Sequence, residues 1–438
     1  MLTDHYELTM VQASLRSGAA ARRAAFELFA RRLPAGRRYG VVAGTDRFLD
    51  ALEGFRFSAE ELAWLRQHNV VDQVTADWLA SYHFSGDVWG YPEGETYFSG
   101  SPVLVVEAPF AEAVLLETLA LSIFNHDGAV ASAASRMVLA AASRPCIEMG
   151  SRRTHEQAAL AAARAAYLAG FASTSNLAAG QAYGIPTSGT SAHAFTLVHD
   201  TERDAFVAQV DSLGKQTTLL VDTYDVEAAV RTAVEVAGTG LGAVRIDSGD
   251  LGELARQVRR QLDGLGARDT RIVVTGDLDE LAIAGLAAAP VDGYGVGTSL
   301  VTGSGHPTCG FVYKLVARAA SDAAGAPLVG VAKHSPDKAT VAGRKWALRR
   351  LDDSGAATAE VIGIGPLPDQ AEHGADVGGR RLLVDLVRDG DRVWREPLAD
   401  SRDRHSRSFG ELPISAHQLS RGEPVLRTVY ETDVRQRR

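Results

Sequence analysis

The sequence predicts an α/β fold: a parallel β/α barrel, or part of one, flanked at both chain ends by stretches of α+β character. Three observations carry this. From about residue 145 to 296, short apolar runs alternate with helical stretches whose apolar residues recur at helical spacing. The later runs each end in an acid or in Gly, Ser or Thr. Outside that interval the alternation is lost, and β-type runs mix with isolated helices.

Taken in order, residues 6–17 and 59–69 carry helix signals amid short β-type runs and many of the aromatic residues, which reads as an α+β part over 1–102. After Pro102 a strand is expected at 103–107. The alanine-rich stretches 129–142 and 158–170 are short and interrupted by Arg136 and Arg164, so they read as closely packed internal helices and not as membrane spans. Strands are expected at 146–148, 184–188, 217–221, 243–246, 271–275 and 293–296, with helices at 226–237, 251–265 and 279–289 between the later ones. A glycine-rich loop, Thr302-Gly-Ser-Gly305-His306, leads to a strand at 309–316, which closes the barrel part at 103–316. Residues 317–438 return to the α+β character of the start, and the charged end from Ser401 reads as loosely ordered.

Composition narrows the function. A chain of 438 residues is long enough for two or three domains. With 45 basic residues scattered among 54 acidic ones, the net charge of −9 argues against a general nucleic-acid or membrane-surface role. Two cysteines, Cys146 and Cys309, allow neither a disulfide framework nor a cysteine-built zinc site and fit a reducing cytosol. Met1 to Glu7 shows no basic start or apolar run of a secretory signal, and the histidines show no paired metal-ligand spacing beside an acid.

The chemistry gathers where the strands end. Asp222, Asp247-Ser-Gly-Asp250, Gly276-Asp277 and Gly297-Thr298-Ser299 each follow a strand, and loops at that end of a β/α barrel converge on one mouth. Backbone N–H groups at Gly297 to Ser299 can hold a phosphate, and the acids can bind ribose hydroxyls, or magnesium through water. Lys333, Lys338, Arg344 and Lys345 can supply counter-charge, and Arg152 with Arg153 can grip a carboxylate or phosphate. Each motif alone has an ordinary structural explanation. Asp-Ser-Gly and Thr-Gly-Asp are turn and helix-cap chemistry, the arginines can pair with Glu156, a basic loop is commonly just solvated, and His193 can be a partly buried histidine with one hydrogen bond. Together they describe a phosphosugar site, which a barrel isomerase or lyase would also have.

Seven segments, in order, add a resemblance: LTDHYELTM (2–10), EMGSRRTH (148–155), FASTSNLAAG (171–180), GTSAHAF (189–195), RIDSGDL (245–251), TGDLDE (275–280) and GVGTSLVTG (295–303). The sequence closely resembles the nicotinate phosphoribosyltransferase family from residue 2 to about 346. The resemblance implies an irregular or incomplete α/β barrel of the type II phosphoribosyltransferase kind, with an α+β domain formed by both chain ends. It implies transfer of phosphoribosyl from phosphoribosyl pyrophosphate to nicotinate, with ATP as co-substrate and Mg2+, in a homodimer with shared active sites.

By residue, the resemblance implies that ATP phosphorylates His193, with Asp247 and Arg245 as its catalytic companions. Asp247 and Asp277 would contact ribose or magnesium, no metal site being built from protein alone. Gly276, Gly297, Thr298 and Thr190 would line the phosphoribosyl side, and Arg152 or Arg245 the nicotinate side. Tyr6 would stack on the pyridine ring from the partner subunit, and Met149 stands where many relatives carry an aromatic for the second face. Ser175 occupies the position where related nicotinamide enzymes have an aspartate, which implies a preference for the anionic ring. A non-catalytic metabolite-binding relative would be expected to lose one of Tyr6, Arg152, His193, Arg245 or Asp247, and none is lost.

Overall fold

The computed structural model describes residues 1–323, 325–333, 340–365 and 379–431. The chain forms two compact units, one from Met1–Ala129 with Thr308–Arg438 and the other from Val130–Pro307.

The first unit is built around a seven-stranded antiparallel sheet. Its strands run in the order Leu328–Gly330, Phe311–Ala319, Arg23–Ala30, Leu104–Pro109, Asp87–Gly90, Val384–Arg388 and Asp391–Arg392. Arg23–Ala30 is buried on both faces after its first residue, and Phe26 stacks on Tyr313 with ring centroids 5.0 Å apart. The boundaries expected at 102/103 and 316/317 therefore move. The apolar run at 103–107 fits either sheet by composition, but it pairs with Arg23–Ala30 and Asp87–Gly90 and belongs here. The strand expected at 309–316 is Phe311–Ala319, which pairs along Arg23–Ala30.

The C-terminal part adds a four-stranded sheet, Arg380–Arg381, Lys345–Leu351, Ala357–Ile364 and Thr428–Tyr430 in spatial order. Of the segment from Ser401, expected to be loose, 432–438 lie outside the described residues and 401–410 lie in the helix Leu398–Gly410, with Ser401, His405 and Ser408 buried. Its polar residues are used internally: Arg404 Nη2 donates to Glu396 at 2.6 Å, and the Ser408 hydroxyl donates to Glu95 at 2.9 Å. Two expected phosphate counter-charges are likewise engaged. Lys345 is buried in an ion pair with Glu27, and the Arg344 guanidinium lies 4.0 Å over the Trp89 ring and 3.4 Å from Glu107. Lys333 is exposed, and Lys338 lies outside the described residues.

The second unit holds a six-stranded parallel sheet: β1 Cys146–Glu148, β2 Ser173–Thr174, β3 Thr218–Leu220, β4 Ala243–Ile246, β5 Arg271–Gly276 and β6 Gly293–Val296. Their spatial order is β2-β1-β6-β5-β4-β3, so the sheet is open among the described residues. Helices Glu156–Leu168, Val226–Ala237 and Leu251–Gly264 connect the strands. The last two bury an apolar stripe at helical spacing, such as Ala255, Val258 and Leu262, while the alanine-rich first is buried on nearly every side.

The expected strand at 184–188 is a correction. Gly184 caps the helix Leu177–Tyr183 in the left-handed region at φ 67°, and Pro186 has no N–H for a ladder. Only Thr187 bridges the sheet there, opposite Thr174 of β2. The helix expected at 279–289 is shorter, Glu280–Gly285. Among the described residues no helix is long and apolar enough to cross a membrane.

Candidate functional site

One buried carboxylate organises the ends of β3 and β4. The ladder continues past β3 through Val221 N–H to Arg245 C=O at 3.1 Å, which sets Asp222 beside the loop after β4. Asp222 Oδ2 accepts from the Asp247 N–H and the Ser248 hydroxyl, both at 2.8 Å. Its Oδ1 lies 3.2 Å from His193 Nε2. The Asp222 side chain is 3% exposed and that of His193 39%, so the carboxylate is buried and the ring opens to solvent. His193 begins the short helix His193–Leu197, directly after Gly189 to Ala192.

Arg245 joins the same group from within β4. Its Nη1 donates to the Thr190 hydroxyl and to Ser191 C=O at 3.4 Å, and its Nη2 is 3.6 Å from Asp247 Oδ1. Asp247 also accepts from the Thr275 hydroxyl of β5. Burial pulls the Arg245 guanidinium below its usual pKa, with Arg152 pushing the same way, while Asp247 and Asp222 oppose them. Arg245 Nε is buried without a hydrogen-bond partner among the described residues. The Arg245 guanidinium, with Nε open and Arg152 repelling it, is suited to an anion.

The other side of the mouth is built on Glu148 at the end of β1. Its carboxylate accepts from the Thr174 hydroxyl and the Gly150 N–H, and its C=O accepts from Ser175 N–H at 2.8 Å. Burial pushes the carboxyl above the usual range and these hydrogen bonds oppose it. Asn176 caps the helix Leu177–Tyr183, accepting from Ala179 N–H at 2.9 Å, and donates from Nδ2 to the Ser151 hydroxyl at 3.0 Å. Met149 donates its N–H to Val296 C=O at 2.8 Å. A Cβ on Gly295 would collide with the Thr275 methyl and come within 2.7 Å of Met149 Sδ, so only glycine lets Met149 lie over β6. Gly150 is required for the same reason, against Val301 and the C=O of Gly297.

Among the residues expected from sequence, His193, Asp247, Arg245 and Thr190 are joined by these contacts, Arg152 acts on Arg245 through its charge alone, and Met149, Ser175 and Gly297 lie in the adjoining loops. Asp277, after Gly276 at the end of β5, and Thr298 are exposed and take no part in these side-chain bonds. Asp250 is a helix cap, accepting from Glu253 N–H at 3.0 Å. The glycine-rich loop is anchored from behind, where buried Glu280 accepts from the Ser304 hydroxyl at 2.7 Å and from Arg136 Nε at 3.0 Å. Tyr6 lies in the first unit, half-exposed on the helix His5–Ser17; partial burial and the Glu117 carboxylate raise its phenol above the usual pKa. Glu148, Thr174 and the pairing of Asp222 with His193 were not read from sequence. Asp222 was visible only as one strand-end acid among several, and Thr174 carried no signal. Among the described residues, no group of three or more His, Cys, Asp or Glu is arranged to hold a metal.

Residues 1–125 match the family model of the nicotinate phosphoribosyltransferase (NAPRTase) N-terminal domain. Nicotinate phosphoribosyltransferase pncB1 of Mycobacterium tuberculosis is 56% identical over 436 residues, covering 98% of this chain and 94% of that protein. The nicotinate phosphoribosyltransferase of Bacillus subtilis is 37% identical over 361 residues, covering 80% and 73%. The crystal structure of human nicotinic acid phosphoribosyltransferase superposes with a TM-score of 0.83 at 27% identity, over 100% of this chain and 99% of that one. The chain belongs to the nicotinate phosphoribosyltransferase family.

Proposed function

We propose that this protein transfers phosphoribosyl from phosphoribosyl pyrophosphate to nicotinate, forming nicotinate mononucleotide and pyrophosphate for NAD salvage, with coupled ATP hydrolysis. The observation that carries the reading is the linked set His193, Asp222, Asp247 and Arg245 at one strand-end mouth, in a chain 56% identical to a protein of that name. The open parallel sheet is read as an incomplete type II phosphoribosyltransferase barrel.

In the transfer, the bond from ribose C1 to the pyrophosphate oxygen breaks with its electron pair leaving on pyrophosphate, and the nicotinate ring nitrogen closes on C1. C1 passes through an oxocarbenium-like state, which the Asp247 carboxylate is placed to stabilise. Asp277 adds a ribose contact, while N–H groups at Gly297 and Thr298 hold the 5′-phosphate. Arg245 and Arg152 hold the nicotinate carboxylate, Met149 covers one face of the ring, and Ser175 leaves the pocket free of a repelling charge. Hard carboxylate oxygens at Asp247 and Asp277 suit Mg2+, which when bound with the substrate neutralises charge on the departing pyrophosphate.

His193 serves the ATP half. Asp222 accepts a proton-bearing Nε2, which leaves the Nδ1 lone pair to attack the γ-phosphorus while the bond to the β-phosphate oxygen breaks and ADP departs. Water later takes the phosphoryl group from the ring. Tyr6 is read as the stacking residue given by the partner subunit of a homodimer, which light scattering of the purified protein tests. Two free, buried cysteines support a cytoplasmic setting.

The test is a product assay with nicotinate, nicotinamide and quinolinate in parallel, each with and without ATP. Nicotinate mononucleotide made from nicotinate, faster with ATP, is the expected result. Equal use of nicotinamide, or product only from quinolinate, would overturn the reading.

A further inference from the structure

We infer that Glu148 is a positioning residue for the pyridine pocket: its buried carboxylate fixes the loop carrying Met149 and Arg152 against the loop carrying Ser175, and so sets discrimination between a carboxylate and a carboxamide on the ring. The inference deepens the reading of the site as one for nicotinate and rests on it.

Glu148 is 1% exposed and makes no ion pair among the described residues. A carboxyl group in that position is costly, and hydrophobic packing would be the cheaper way to fill the space. What it provides is two acceptor oxygens facing different loops. Oε1 takes the Gly150 N–H, inside the loop after β1. Oε2 takes the Thr174 hydroxyl, which itself accepts from Asn176 N–H at 2.9 Å, inside the loop after β2. The hydroxyl therefore offers its hydrogen to Glu148. The Glu148 C=O binds Ser175 N–H, and Asn176 Nδ2 closes the circuit on the Ser151 hydroxyl. A Cβ on Gly150 would come within 3.1 Å of the Gly297 C=O, so the turn after β6 lies close to the same point.

Glutamine has the same shape but loses one acceptor: with its oxygen on the Gly150 N–H its amide nitrogen faces the Thr174 hydroxyl, which must turn its own hydrogen away and take two N–H donors at once, so the tie is weakened. Glu148 touches neither ring nor ribose in this scheme. It acts through the residues that do, and a shift of about 1 Å in such a pocket can cost on the order of a hundredfold.

Amide hydrogen exchange on the ligand-free protein and steady-state kinetics on wild type, Glu148→Gln, Thr174→Val and Thr174→Ser test this together. Exchange at Gly150, Ser175 and Asn176 is expected to quicken together in Glu148→Gln and Thr174→Val, and to stay at the wild-type rate in Thr174→Ser, which keeps the hydroxyl. In the first two variants KM for nicotinate should rise roughly 10- to 100-fold, with KM for phosphoribosyl pyrophosphate little changed, and the nicotinate-to-nicotinamide ratio should fall. Should Glu148→Gln fail to fold, Thr174→Val carries the same comparison. Unchanged exchange at these three amides, or a lowered melting temperature with the substrate ratio intact, overturns the inference. A wild type that ignores nicotinate overturns the proposed reaction instead, and the exchange data still decide whether Glu148 couples the loops.

Discussion

The two sides of the mouth use the same device for different ends. On each, a buried carboxylate ties together loops from neighbouring strands: Asp222 joins the loop after β4 to the histidine turn, and Glu148 joins the loops after β1 and β2. On the Glu148 side every bond runs to a neutral donor in β2 or the adjoining loops, so nothing is left to swing. On the Asp222 side the last member is a 39% exposed imidazole held by one 3.2 Å contact. In the proposed reaction, the group that meets ATP and carries the phosphoryl is the one left open at its far edge, and the side assigned to telling two similar rings apart is closed. On that proposal, chemistry and selection are built with different degrees of constraint.

The strongest way to break this comparison is at the open group. His193→Ala should abolish ATP stimulation, a loss of about a hundredfold or more in ATP-supported kcat/KM, while a slow ATP-independent transfer survives. Incubation with γ-labelled ATP checks it: acid-labile label of equal size in wild type and variant would show that the open side has another purpose. On the closed side, Ser175→Asp places an anion where the ring carboxylate is expected. The kcat/KM ratio of nicotinate to nicotinamide should fall by at least about tenfold, without a matching change in binding of phosphoribosyl pyrophosphate. A ratio that does not move would put selectivity elsewhere.

The smallest effect sharpens the contrast through stability. Burial raises the Glu148 carboxyl above its ordinary value of 4.5, so the folded protein holds a proton that the unfolded chain has released. Its contribution therefore falls as pH rises from about 4.5 through the raised value, and is flat above it. Glu148→Gln should lessen the decline in melting temperature over that window by a few degrees at most. Parallel melting curves of the two proteins at pH 5, 6 and 7 read it directly, and an identical slope would mean that other groups carry the dependence.

Much of the second unit was legible because parallel β/α units repeat a local pattern. β1, β3, β4, β5 and β6 begin and end within a residue or so of where apolar runs meet Gly, Asp or Thr. β2 was not legible: two residues give no period, and the more apolar run beyond Gly184 drew the assignment. The site was legible in its residue types but not in its pairings. Asp222 and Asp250 both follow strands, yet one holds a histidine and the other caps a helix, a difference set by residues 29 positions away in the first case and three in the second. Lys345 looked like a loop cation until its partner Glu27, from the far end of the chain, came into register. Glu148 was given no role from sequence, because the sequence does not show which side chains the sheet covers.

The sheet of the first unit sets an order of events during synthesis. Ala24 faces Arg318 and Ala30 faces Phe311, so the interior strand Arg23–Ala30 waits for one of its two partners until nearly three quarters of the chain is made. Every strand of the second unit lies between Cys146 and Val296, in one uninterrupted stretch. The mouth proposed to carry the chemistry can therefore finish folding on the ribosome while the Arg23–Ala30 edge is still exposed. That nascent edge, apolar and hydrogen-bond hungry, is where a chaperone has the most to protect.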